Sequence, residues 1–102
     1  MSSYNELELK IIRWAEARRI IPNATPMAQA AKTIEEVSEL VAAINANDRD
    51  AMRDAYGDIL VTLIIGSDLA NISLLEALEC AYGEIKDRRG TLTPEGIFVK
   101  EA

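Results

Sequence analysis

Five carboxylates dominate the chemistry that this sequence can support: Glu35, Glu36 and Glu39 in one cluster, Asp54 and Asp58 in a second. Glu35 and Glu39 are like charges at i,i+4, a spacing that costs a helix roughly a few tenths of a kcal/mol. No Lys or Arg follows four residues later to relieve them, and only Lys32 lies near. The neighbouring turns carry Ala28, Ala31, Ala42, Ala43 and Ala46, short side chains where a solvated face would carry long polar ones, so something is expected to pack closely against the acids. Asp54 and Asp58 repeat the i,i+4 pattern with a residue that forms helices poorly. Asp58 opens an apolar run, residues 59–65, that is greasy around most of a helix and reads as buried. A carboxylate at the mouth of such a segment must be protonated, paired or bound to a cation, because leaving it charged and alone costs several kcal/mol. No Lys or Arg occurs between Asp54 and Asn71 to serve as that partner.

Helices must position these groups, and the sequence punctuates four of them. Ser3 and Glu6 are spaced as a capping box, after which Leu7, Ile11, Trp14 and Arg18 follow at helical intervals until Pro22 stops the first helix. Thr25 followed by Pro26 is an N-cap with proline at the first helical position, opening a second helix over about residues 26–46. On it Met27, Ala30, Ile34, Val37, Leu40, Val41 and Ile44 share one broad face, with the three glutamates opposite. Asp48 caps a third helix reaching about Ala70, and Asn71 suits a left-handed end. Ser73 and Glu76 cap a fourth that runs to a stop at Gly90. Pro94-Glu95-Gly96 between Leu92 and residues 97–99 reads as a turn in a short β-ribbon. The expected fold is therefore all-α, one domain over residues 1–102, an antiparallel bundle of about four helices with a ribbon tail.

If the second and third helices are antiparallel neighbours, Glu36 and Glu39 face Asp54 and Asp58, creating an all-oxygen cation site. Clustered carboxylates match a hard ion such as Mg²⁺ or Mn²⁺, and Mg²⁺ favours sharing itself with phosphate oxygens, so a phosphorylated substrate is implied. Composition narrows the field further. With no His and a lone Cys80, the chain offers no nitrogen-and-sulfur zinc site, no Ser-His-Asp triad and no intrachain disulfide. Seventeen Asp and Glu against eleven Lys and Arg give a formal charge of -6, which provides no overall field to hold DNA or RNA by its phosphates. The first ten residues have no secretory pattern and the longest apolar run is too short to span a bilayer, so no membrane partner and a cytoplasmic location are expected. Residues 59–65 are apolar on too many sides for a lone bundle of this size, which predicts a homodimer or homotetramer.

Glu-Glu-Val-Ser-Glu-Leu at 35–40 followed by Asp-Ala-Tyr-Gly-Asp-Ile-Leu at 54–60 resembles the EExxE and ExxD motifs of MazG-like nucleotide pyrophosphohydrolases. Ile-Ile-Arg-Trp-Ala at 11–15, Ala-Thr-Pro-Met-Ala-Gln at 24–29 with Lys32, and Glu-Ile-Lys-Asp-Arg-Arg-Gly at 84–90 extend the likeness over nearly the whole chain, in the manner of short phage-encoded members. One departure stands out: where the second motif has Glu, this chain has Ala55, with Asp54 one residue earlier. Either Asp54 reaches the ion from there or a water fills the position.

The resemblance implies hydrolysis of a nucleoside triphosphate to its monophosphate and diphosphate, with Mg²⁺ (or Mn²⁺ in its place) held by Glu36, Glu39 and Asp58, and Asp54 possible as a fourth ligand. Glu35 is then the general base or the holder of a second ion. Lys32, one turn before the acids, is placed to meet the triphosphate, followed by Lys86 and Arg89, while Trp14 is a candidate to stack on the base. The family gives a slight preference for guanine or cytosine deoxynucleotides, and relatives acting on phosphoribosyl-ATP or dUTP share the same logic. The competing class is a non-catalytic helical interaction module whose acids are simply solvated.

Overall fold

The computed structural model of the chain describes residues 2–101. Four of the helices open on the caps read from the sequence. In α1 (Tyr4–Ala17) the Ser3 hydroxyl accepts from the Glu6 N–H at 3.2 Å. In α3 (Pro26–Asn45), which follows a short turn α2 (Ile20–Asn23), Thr25 accepts from the Ala28 N–H at 3.1 Å. In α4 (Arg49–Leu69) Asp48 accepts from the Ala51 N–H at 3.1 Å, and in α5 (Leu74–Ile85) Ser73 accepts from the Glu76 N–H at 3.2 Å. Asn71 takes the left-handed conformation anticipated for it, with φ of 62°.

Two boundaries differ from the sequence expectation. The first helix ends at Ala17 rather than at Pro22: Arg19 turns left-handed, and Ile21, pushed out of the helical region by the proline ring after it, has ψ of 126°. The fourth expected helix ends at Ile85, and Gly90 is not its stop. Gly90 instead begins β1 (Gly90–Leu92), which pairs antiparallel with β2 (Phe98–Lys100), and a Cβ on it would collide with the Val99 carbonyl oxygen and the Phe98 ring.

The centre of the fold is the antiparallel hairpin of α3 and α4. The Thr33 and Thr62 hydroxyls meet across it at 2.7 Å, and Gln29 lies against Gly66, where an added Cβ would stand 3.1 Å from the Gln29 Cβ. Helix α1 lies along α4, whereas α5 turns away from α4 by 103° and is exposed from Glu76 onward. The buried apolar residues are few: Ala15, Ala43, Ala55, Ile64 and Ile65 among those described. No single helix among the described residues is long and apolar enough to cross a membrane.

Two helices present a different face inward from the one their apolar periodicity suggests. On α1 the stripe that turns to α4 is Tyr4, Glu8, Ile11 and Ala15, while Leu7 and Trp14 are each 46% exposed. On α3 the inward stripe is Gln29, Thr33, Glu36, Leu40 and Ala43, so the glutamate side faces α4 and Met27, Ile34, Val37, Val41 and Ile44 face outward. The chain is consequently open. Its accessible surface of 7909 Å² exceeds by about 2,200 Å² what a folded monomer of 11.2 kDa presents. Its radius of gyration is 16.0 Å, where about 13 Å is usual at this length.

Candidate active site

Glu36 is the pivot of the site. Its place on the inward stripe of α3 leaves the side chain only 10% exposed, and its Oε2 is buried with no hydrogen-bond partner. Burial, then a hydrogen bond and charge from Glu39, then the charge of Asp58 on α4 all push its carboxyl above the ordinary carboxylate range. The Lys32 ammonium, 3.8 Å away, opposes this only in part. An unpartnered carboxylate oxygen held among other carboxylates is a position that a cation relieves.

The hairpin register explains the grouping. Thr33 pairs with Thr62 and Gln29 with Gly66, which sets Glu36 opposite Asp58 and Glu39 opposite Ala55. Glu36, Glu39 and Asp58 are thus brought together. Glu35, one helical step round, points away and is tied to the Lys32 Nζ at 3.3 Å. That contact, ahead of weaker effects from Glu36 and Glu39, raises the Lys32 pKa. Asp54 lies on the α1 side of α4, where it shares a groove with Asp58, and Ala55 beside it is buried against α3. Among the described residues no three of these acids close by themselves into a finished ion cage. The donor set fits a hard divalent ion nonetheless, since it consists of carboxylate oxygens with one buried orphan among them.

The groove between α1 and α4 is about 640 Å³, within the range of small-molecule sites. Leu7, Ile11, Leu60, Val61 and Ile64 make its walls largely apolar, and Asp54, Asp58 and Glu8 give it polar edges. Glu8 is not marked by the apolar pattern of α1. Its Oε2 is buried without a partner, and together with burial its charge raises the Tyr4 phenol beside it. The available signal was phase: Glu8 falls in step with Tyr4, Ile11 and Ala15, an acid on what proves to be the inward stripe.

The remaining candidates sit elsewhere. Trp14 is outside the groove, with the Arg18 guanidinium 5.2 Å from its ring centroid. Lys86 borders a cleft with Leu78 and Tyr82, and Arg89 one with Glu84, Asp87 and Lys100; neither cleft contains any of the five acids.

Fold and site define a class: an all-α protein whose central helical hairpin gathers carboxylates beside an apolar groove. The family model described as the MazG nucleotide pyrophosphohydrolase domain matches residues 24–89, and the chain belongs to that family. An uncharacterized 18.2 kDa protein from the rep-hol intergenic region of Haemophilus phage HP1 is 34% identical over 65 residues, 64% of this chain. The match spans 40% of that relative's length. Among solved structures, the MazG-like pyrophosphohydrolase of cyanophage S-2L, bound to dGDP and three catalytic Mn²⁺ ions per active site, superposes with a TM-score of 0.75. That likeness covers 100% of both chains at 22% identity and shows a shared fold.

Proposed function

We propose that this chain is a divalent-cation-dependent nucleoside triphosphate pyrophosphohydrolase, converting a (deoxy)nucleoside triphosphate and water to the monophosphate and diphosphate. One observation carries the reading: the buried, unpartnered Oε2 of Glu36, facing Asp58 across the α3–α4 hairpin with Glu39 beside it. Membership of the MazG family supports it, as do the nucleotide and Mn²⁺ held by the cyanophage protein.

Glu36, Glu39 and Asp58 would hold the cation, and Asp54, which shares a groove with Asp58, would be the fourth ligand where Ala55 offers none. When bound, Mg²⁺ or Mn²⁺ sets positive charge against the phosphate oxygens and acidifies water. Glu35 accepts the proton of the attacking water as general base, or helps to hold a second ion. Its contact with Lys32 holds it along the same edge of α3. Lys32 meets the charge of the triphosphate, and the nucleoside lies in the α1–α4 groove. The outward apolar stripe of α3, the exposed α5 and about 2,200 Å² of excess surface are covered by further copies of the chain in a homo-oligomer. Lys86 and Arg89 line clefts that contain none of the five acids of their own protomer, so they would meet a triphosphate only from a neighbouring copy.

A panel of nucleoside triphosphates with Mg²⁺ or Mn²⁺ tests this. Diphosphate release from at least one of them, lost on removal of the metal and in Glu36→Gln and Asp58→Asn, is the expected result. No turnover across the panel with either metal overturns the hydrolase reading in favour of a helical interaction module.

A further inference from the structure

We propose that Glu8 reads the base and selects guanine. The inference rests on the nucleotide-hydrolase reading above and adds a specificity residue on a helix that contributes no acid to the α3–α4 cluster. Three observations converge. Glu8 edges the groove that also opens on Asp54 and Asp58. Its Oε2 is buried and makes no hydrogen bond, although Asn5, Ser67 and Ser73 stand around the adjoining clefts. It also borders Ile64 in two adjoining cavities, and Ile64 lies six residues beyond Asp58 on α4, about 9 Å by helical rise. With phosphates at Asp58, the span of a nucleoside brings the edge of its base to Glu8, its faces between the apolar walls.

The chemistry of a carboxylate then decides which base fits. Ionised Glu accepts hydrogen bonds and donates none. Guanine presents two adjacent donors, N1–H and the 2-amino group, which pair with the two oxygens of one carboxylate in a bidentate, charge-assisted contact. Adenine turns the N1 lone pair toward the same oxygens, cytosine its N3, and uracil and thymine offer one N–H flanked by carbonyls. Each leaves a buried oxygen unpaired or facing another acceptor, which is the strongest form of rejection a polar pocket has.

The test is calorimetric titration of the full-length chain with dGMP, dIMP and dAMP, which reads base recognition apart from turnover. The unaltered protein should bind dGMP most tightly, dIMP about tenfold more weakly for the missing 2-amino donor, and dAMP more weakly still. Glu8→Gln should lose roughly 10- to 100-fold for dGMP and change dAMP by less than about twofold, removing the preference. Glu8→Asp, which keeps the charge, should retain the order of the three at lower affinity. Equal binding of dGMP and dAMP by the unaltered chain, or an undiminished guanine preference in Glu8→Gln, overturns the assignment. Diphosphate release assayed alongside keeps the two ideas separate. Turnover with no base preference sinks the role of Glu8 alone, whereas guanine-selective binding with no turnover of any triphosphate sinks the hydrolase reading alone.

Discussion

If the chain assembles as proposed, replacing Val41 by Asp should dissolve the homo-oligomer. Met27, Ala30, Ile34, Val37, Val41 and Ile44 recur at alternating intervals of three and four along α3, the spacing of a helix–helix seam, and all are exposed in the single chain, Val41 by 52%. The chain presents about 2,200 Å² more surface than a folded monomer of 11.2 kDa. Twice that area falls in the size class of obligate homo-oligomers. In a two-fold interface one substitution appears on both sides. An unpaired carboxylate buried in an apolar seam costs several kcal/mol, so the pair raises the dissociation constant by at least about a thousandfold. Sedimentation velocity over a range of concentrations reads this directly. The unaltered chain should run as a multiple of 11.2 kDa even when dilute, and Val41→Asp as a monomer. An unaltered chain that stays monomeric at high concentration, or a Val41→Asp assembly that persists, refutes the inference drawn from the open surface.

Glu36→Gln should raise the melting temperature of metal-free protein, because it removes a buried charge lying against Glu39 and Asp58, while abolishing the stabilisation that Mn²⁺ gives; thermal melts with and without metal check both. Since the folded state raises the Glu36 pKa, native protein binds more protons than unfolded chain between the ordinary carboxylate range and that raised value. Metal-free stability should therefore fall as pH rises through this window and level off above it, and Mn²⁺ affinity should rise through the same window; melts and titrations from pH 4 upward, at roughly unit intervals spanning the usual carboxylate range, follow the two trends. Thr62→Val deletes the hydroxyl that meets Thr33 across the hairpin, which should cost about 1 kcal/mol and lower the melting temperature by about 4–8 °C without altering the sedimentation coefficient.

The sequence was most readable where a local interaction decides the outcome. Ser3, Thr25, Asp48 and Ser73 each cap the helix assigned to them, because a cap needs only its own first turn. The approach of Glu36 to Asp58 was legible for a related reason: a short connection forces α3 and α4 antiparallel, and unrelieved acids on both mark where they face. The face of each helix was harder. Apolar periodicity on α3 identifies the stripe that wants to leave water, yet within one chain that stripe points outward and the glutamate side packs on α4. Hydrophobic pattern does not distinguish burial against the same chain from burial against another. On α1 the inward stripe includes Glu8, and the apolar spacing of Leu7 and Trp14 marks a face that stays exposed. The positions of Lys86 and Arg89 depend on a 103° turn between α4 and α5 that no single residue announces.

Mn²⁺ titration of metal-stripped protein, followed by calorimetry and by the loss of free-ion electron paramagnetic resonance signal, addresses the carboxylate site most directly. Saturable binding should release protons within the window that opens above the ordinary carboxylate range, where Glu36 still holds its proton, and should weaken by at least about tenfold in both Glu36→Gln and Asp58→Asn. Binding that is undiminished in both variants would contradict the placement of a cation between α3 and α4.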